Sequence, residues 1–316
     1  MEKRKKSIII SILISIFSII LIIIILLNSI FFQFFWNQEL RNILPNFEFF
    51  FRYITELGGT LIYLGIFFTL FWGINKKFAK NLILIYISSN FVNFYAKTFI
   101  GNPRPDQSNW ILISASHLST PSGHAMSSTV VWGYLGIKMK NIVNLIVSVI
   151  IIILVSLSRM YLGVHWLGDI LTGWLFGLII LSLANIIEHS EIKLGKNNDF
   201  NINIILIIIG FVALILTEIF KISSYNFGTV GGQFIGIGIG FILEQKFVDF
   251  NIDLENKKKW KIIIRIFIGI LIIAILYLGL YLVIDSDIFW QVALQYIIVF
   301  LVGIFLWPYL FKKSNL

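Results

Sequence analysis

Between Lys97 and Asp169 the chain gathers two histidines, a lysine, two arginines and an aspartate into three short clusters separated by apolar segments. They read KTFIGNPRP (97–105), PSGH (121–124) and SRMYLGVHWLGD (158–169). Lys97, Arg104 and Arg159 supply fixed positive charge, and guanidinium forks match the oxygens of a phosphate. His165 and Asp169 stand four residues apart, one helical turn. At that spacing the carboxylate accepts a hydrogen bond from one imidazole nitrogen and leaves the other with its lone pair. An imidazole held in this way is a nucleophile or a base, and a second histidine, His124, can protonate a leaving oxygen. Alone, PSGH reads as an ordinary helix start and HxxxD as a surface pair. Together the clusters suit attack on phosphorus within a pocket of cations that stabilise the added negative charge. No metal-ligand constellation accompanies them, and Asp106 is the one carboxylate close to the first two clusters. The cations are therefore expected to neutralise the phosphate, with neither a metal nor another cofactor.

Composition decides what surrounds these residues. Of 316 residues, 58% are hydrophobic and only 13% charged, and the mean hydropathy is +0.90. This excludes a soluble globular domain and indicates a polytopic membrane protein, in which a concentrated set of charges marks a functional site. Cysteine is absent, which removes disulfides and thiolate ligands or nucleophiles. The net charge of +9 is read as lysines in short loops that set topology and meet anionic lipid headgroups, with no nucleic-acid partner. The basic MEKRKK start precedes an apolar run of about 20 residues without a small-residue cleavage site, so it reads as an uncleaved first span.

Hydropathy marks about ten spans, near 7–27, 57–74, 81–99, 122–138, 141–158, 165–187, 202–219, 229–245, 262–284 and 289–310. The expected fold is all-α: a polytopic transmembrane bundle whose clusters fall on the third to sixth spans. Three parts follow: a first span with an outer interfacial segment (1–50), a catalytic core (51–190) and a four-span C-terminal extension (191–316). An even number of spans puts both termini on one side. The loops on that side hold 19 of the 25 Lys and Arg residues, which makes it cytoplasmic. Arg41, Arg52, Lys97, Arg104, Arg159 and Lys221 remain opposite, so the clusters face outward, to the periplasm or exterior of a bacterial cytoplasmic membrane. The third span ends with Lys97, and Pro103 and Pro105 stiffen the loop carrying Arg104. The fourth starts with Thr120 as N-cap and Pro121 as its first residue; its free amides form an anion site that Gly123 lets a ligand approach. The fifth ends near Arg159, and the sixth begins with His165.

Other stretches carry less chemistry. In 28–56, Leu40, Ile43, Leu44, Phe47, Phe50, Phe51 and Ile54 recur at helical spacing broken at Pro45, which predicts short amphipathic helices in the outer interface, acting as a lid or admitting lipid. Gly232, Gly236 and Gly240, with Gly231 and Gly238 alongside, suit close helix packing within the subunit or, alternatively, a homodimer seam. Glu218 and Glu244 lie near span ends, where they reach water or a cation, and His117 is read as a loop residue.

K-x6-RP, PSGH and SR-x5-H-x3-D, in this order, resemble the three signature motifs of the type 2 phosphatidic acid phosphatase (PAP2) superfamily of membrane lipid phosphatases. The matching positions are Lys97, Arg104, Pro105, Pro121, Ser122, Gly123, His124, Ser158, Arg159, His165 and Asp169. The resemblance covers roughly residues 50–190, and ten spans exceed the six usual in that family. It implies a PAP2-like core of spans two to six, with His165 as the nucleophile forming a phosphohistidine, Asp169 orienting it and His124 protonating the leaving group. Lys97, Arg104, Arg159, Ser122 and the Gly123 amide would hold the phosphoryl oxygens, and no metal is expected. The implied activity is hydrolysis of a lipid phosphate or pyrophosphate of the phosphatidic acid, phosphatidylglycerophosphate or undecaprenyl pyrophosphate type. The alternatives are a lipid phosphotransferase with the same site and a non-enzymatic transporter or scaffold built on the last four spans.

Overall fold

The computed structural model describes residues 2–112, 118–190, 198–220, 224–252 and 259–314. A backbone in hydrocarbon has no water to satisfy its N–H and C=O groups, and the α-helix satisfies them internally. All ten apolar stretches are accordingly helical. In chain order the helices are α1 (Glu2–Leu27), α2 (Phe35–Ile43), α3 (Glu48–Ile54), α4 (Thr60–Gly73), α5 (Lys76–Ile100), α6 (Gly123–Lys138), α7 (Ile142–Tyr161), α8 (Leu167–His189), α9 (Asn198–Phe220), α10 (Ser224–Leu243), α11 (Lys259–Val283), α12 (Phe289–Leu301) and α13 (Trp307–Lys313). A short 3₁₀ turn, Thr55–Gly58, joins α3 to α4.

Among the described residues, six helices are long and apolar enough to cross a membrane by themselves: Arg4–Leu27, Ile142–Tyr161, Leu167–His189, Asp199–Ile219, Lys259–Val283 and Phe289–Lys313. The pair Glu48–Gly58 and Thr60–Gly73, bent by 46°, adds a seventh if it forms one span. Of the ten apolar stretches, those of α4, α5, α6 and α10 do not meet this length and apolarity by themselves. α4 and α6 have 14 and 16 residues, and α5 is diluted by Ser88, Ser89, Asn90, Asn93 and Lys97. The protein is an integral, multi-pass membrane protein.

The chain divides into two compact units, one of residues 1–63 and 84–192, the other of residues 64–83 and 193–316. In the first, α1 lies along α8, and α6 packs on both α7 and α8. The amphipathic α2 and α3 form where 28–56 predicted them, and both rest on α7. Their apolar residues do not make one stripe. Leu40, Leu44 and the buried Phe51 pack with Tyr161 and Leu162, whereas Ile43, Phe47 and Phe50 are exposed. The break between the helices resets the helical phase, so equal spacing in sequence does not give one face.

The second unit is built on aromatic residues. Phe67, Phe68, Phe71 and Trp72 of α4 are fully buried, with Phe71 edge-on to Phe241 and Phe250. The Trp72 indole donates to the Gly303 carbonyl at 2.8 Å. Arg265 is buried; it donates to the Trp72 carbonyl at 3.0 Å and lies 4.2 Å over the Phe311 ring, so its charge is met by a dipole and a π-face. Glu244 takes a cation, Lys76, at 2.6 Å.

The glycine stripe of α10 is used inside the chain. Gly232 and Gly236 face α12 and Gly240 the helical turn that follows it, where Cβ atoms would lie 2.3 Å from the Ala293 carbonyl oxygen, 2.9 Å from Ile297 Cα and 3.1 Å from Ile304 Cβ. Gly231 and Gly238 turn instead to α9, against Leu214 and Ile207. Because the atom opposing Gly232 is backbone, Gly232→Ala should push α10 from α12 and destabilise the protein by about 1–3 kcal/mol. Thermal unfolding of the detergent-purified variant checks this; an unchanged midpoint would contradict the packing.

Candidate active site

All described site residues lie in the first unit. α5 ends where Gly101 takes a left-handed conformation (φ +67°), its N–H closing on the Lys97 carbonyl at 2.9 Å. The chain then runs through Pro103, Arg104 and Pro105, and this segment pairs with the one entering α6. Pro103 bridges to Leu118, and the Ser119 N–H donates to the Asn102 carbonyl at 2.8 Å. Lys97 ties the same junction: its Nζ donates to the carbonyls of Leu118 and Ser119 at 2.9 and 3.0 Å. An ammonium has three donors, so among the described residues one remains.

Ser122 is the N-cap of α6, its Oγ accepting from the Ala125 N–H at 3.5 Å, and Gly123 is the first helical residue. This corrects the expectation that Thr120 caps and Pro121 opens the helix. The Thr120 hydroxyl is committed elsewhere: it donates to Asp169 Oδ1 and receives the Asn102 amide at 3.1 Å. Gly123 is held close to Asn93, whose Oδ1 would stand 3.2 Å from an added Cβ. His124 follows in the first turn, and Gly58 packs beside it, where a Cβ would meet the ring at 3.2 Å.

The turn from α7 to α8 carries His165. It sits one residue before the N-cap Trp166, so it does not begin the helix as its spacing from Asp169 suggested. The contact expected from that spacing forms nonetheless, with His165 Nδ1 at 3.0 Å from Asp169 Oδ2. Asp169 is fully buried and is the hub of the site. Its carboxylate accepts from the hydroxyls of Ser119 and Thr120 and from the Trp166 N–H at 2.8 Å, and its carbonyl accepts the Ser122 N–H at 2.9 Å. With the Nδ1 proton given to Asp169, Nε2 keeps a lone pair, and the Arg104 guanidinium stands 3.0 Å from it while also donating to the Val164 carbonyl at 2.6 Å.

Arg159 is 5% exposed. It donates to the Thr55 hydroxyl at 2.9 Å, while its Nε has no partner among the described residues. A buried guanidinium N–H left unpaired costs free energy that an incoming anion recovers. His165 lies in the connection between spans, and its imidazole is held well below the ordinary 6.5 by burial first and then by the charges of Arg104, Lys97, Arg159 and His124. Burial also lowers Arg104, to about 10, which leaves it charged at neutral pH.

The structure thus brings Lys97, Arg104, His124, Arg159, His165 and Asp169 to one place beside the start of α6, where Ser122 and Gly123 lie. His117 falls outside the described residues. Sequence reading missed Ser119, Thr55 and Gly58, and it misassigned Thr120. A Ser-Thr pair directly before PSGH was the one available signal.

Residues 78–192 match the model of the PAP2 superfamily, and residues 228–316 match that of the PAP2 superfamily phosphatase, transmembrane extension. The chain carries a PAP2 superfamily domain followed by a PAP2 transmembrane extension. The PAP2 domain is 33% identical over 113 residues to phosphatidylglycerophosphatase B of Bacillus subtilis (strain 168), covering 33% of this chain and 54% of that one. A 143-residue match to sphingosine-1-phosphate phosphatase 2 of Mus musculus is 27% identical and covers 42% of this chain and 40% of the other. The chain therefore spans about half the length of the curated relatives it matches. A crystal structure of a transmembrane PAP2 type phosphatidylglycerolphosphate phosphatase from Bacillus subtilis is 23% identical, covers 58% of this chain and 98% of that chain, and superposes with a TM-score of 0.47. By name, these relatives are membrane lipid phosphatases.

Asp169→Ala strips the shared acceptor from buried donors of Ser119, Thr120, Trp166 and His165. With each orphaned buried donor costing about 1–3 kcal/mol, stability should fall by at least roughly 3 kcal/mol, and Asp169→Asn should lose less. Unfolding midpoints of the two purified variants test this; equal and small losses would remove Asp169 from the centre of the network.

Proposed function

We propose that this PAP2 protein is a lipid phosphate phosphatase acting through a phosphohistidine on His165. The observation that carries the reading is the His165 ring itself, Nδ1 against a buried carboxylate and Nε2 facing the Arg104 guanidinium at 3.0 Å. An entering phosphate replaces Nε2 as the acceptor for Arg104 and meets Lys97, the unpaired Arg159 Nε and the amino end of α6 at Ser122 and Gly123. Those cations neutralise the phosphoryl oxygens without requiring a metal. The freed Nε2 attacks phosphorus as the P–O bond to the lipid breaks. His124 gives its proton to the leaving oxygen, and Asp169 stabilises the positive charge on the phosphorylated ring through the Nδ1–H that it holds. Water then attacks phosphorus and surrenders a proton to His124, the Nε2–P bond breaks, and phosphate leaves.

The substrate class is a lipid phosphomonoester or pyrophosphate, supported by the names of the relatives, which span glycerol and sphingoid phosphates. The concentration of Lys and Arg in one set of loops supports cytoplasmic termini, a site facing outward and access from the outer leaflet.

Purified protein should release phosphate from such a lipid in the presence of EDTA, and His165→Ala should abolish both release and an acid-labile phosphoenzyme. Activity that needs a divalent ion or survives the substitution would overturn the mechanism. His124→Ala should lose about 10²–10⁴-fold on an ordinary lipid alkoxide and far less on an ester with a very good leaving group; equal losses would deny His124 the acid function. Because the His165 imidazole titrates well below 6.5, it stays neutral as the pH falls past that value. The acid limb of kcat/KM should therefore lie below pH 6.5, and a limb at or above 6.5 would contradict the assignment.

A further inference from the structure

α2 lies outside the 78–192 match to the PAP2 domain, yet one of its residues touches the backbone of the nucleophile. Asn37 is fully buried. Its amide nitrogen donates to the Met160 carbonyl at 2.9 Å and to the His165 carbonyl at 3.0 Å. These carbonyls stand at the two ends of the turn between α7 and α8, so a single NH₂ group with two donors spans it. The last carbonyls of a helix have no partners within it, and here side chains and a neighbouring segment supply them in sequence. Tyr161 receives Arg41 Nε at 2.8 Å, Leu162 the Ile111 N–H at 3.0 Å and Val164 Arg104. Arg41, one turn after Asn37 on the same helix, reaches on to the Asn109 carbonyl at 2.8 Å. It passes Gly163, whose φ of +79° and lack of room for a Cβ make the turn possible.

Packing alone does not explain an amide at this position. Asn37 Oδ1 has no partner among the described residues, a desolvation cost that a leucine would avoid. We propose that Asn37 is a positioning residue for the reaction: by fixing the His165 carbonyl it sets where Nε2 stands relative to phosphorus. The ring is held at Nδ1 by Asp169 and the backbone by Asn37, so the attacking atom is determined from both ends. Phosphate affinity rests on other residues, Lys97, Arg104 and Arg159. The inference depends on the phosphohistidine reading, and its test separates the two.

Asn37→Leu, which keeps the volume and removes the donors, and Asn37→Asp, which keeps the shape and turns the donor into an acceptor, are compared with the parent and with His165→Ala on a lipid phosphate. Single-turnover formation of the phosphoenzyme is followed together with inhibition by inorganic phosphate. The expected result is a fall of about 10²-fold in kcat and in phosphoenzyme formation, the scale of a misplaced reacting group. KM and the inhibition constant of inorganic phosphate should stay within about threefold, a band well under the tenfold that 1.4 kcal/mol represents. If Asn37→Leu does not fold, Asn37→Ser, which retains one donor, should show the same pattern to a smaller degree. Parental kcat in the folded variants, or losses shared by kcat and phosphate binding alike, would overturn the proposal. If His165→Ala itself still turns over, the phosphohistidine reading fails whatever Asn37 does.

Discussion

A carboxylate cannot remain buried in an apolar bundle unless nearly every lone pair is claimed, and Asp169 meets that demand by recruiting donors from three directions. Ser119 and Thr120 reach it from the segment before α6, Trp166 from the start of its own helix, and His165 from the turn before that. Satisfying one charge thus docks the two helix starts against each other, with the Ser122 N–H on the Asp169 carbonyl closing the joint. The cations are placed around that joint. Lys97 grips the carbonyls just upstream of Ser119 and Thr120, and Arg104 grips the carbonyl just upstream of His165.

The signature residues of the site were legible because each is a costly type in a chain of hydrocarbon, and cost of that kind is visible in one dimension. Lys97, Arg104, His124, Arg159, His165 and Asp169 could be named from spacing alone, and the structure brings them together. What spacing could not show is which backbone groups the polar side chains would satisfy. Thr120 looked like a cap because a hydroxyl before proline usually is one, but a buried carboxylate outcompetes an amide for that hydroxyl. His165 looked like a first helical residue because four-residue spacing resembles a turn, while its backbone is still outside the helix.

Asn37 and Thr55 were illegible for a different reason. Both come from the segment before the clusters, where aromatic residues dominate the pattern, and their partners are a carbonyl pair and a guanidinium far along the chain. The same limit applies to the number of spans. Hydropathy finds apolar stretches well, but the lengths of α4 and α6, 14 and 16 residues, emerge only when the helix ends are seen. The helix–helix use of the glycines in α10 was readable from their spacing; that they serve two neighbours, α9 and α12, was not.

That two-sided glycine surface bears on how the protein is made. During synthesis α10 leaves the ribosome with α9 already available, so Gly231 and Gly238 can be covered at once. The face formed by Gly232, Gly236 and Gly240 has to wait until residues 289–304 exist. Until then it presents bare backbone to lipid, with little side-chain surface to favour insertion. The C-terminal half is thus a segment whose biogenesis has an order, and truncation before α12 would leave an insertion intermediate with one smooth, unclaimed face.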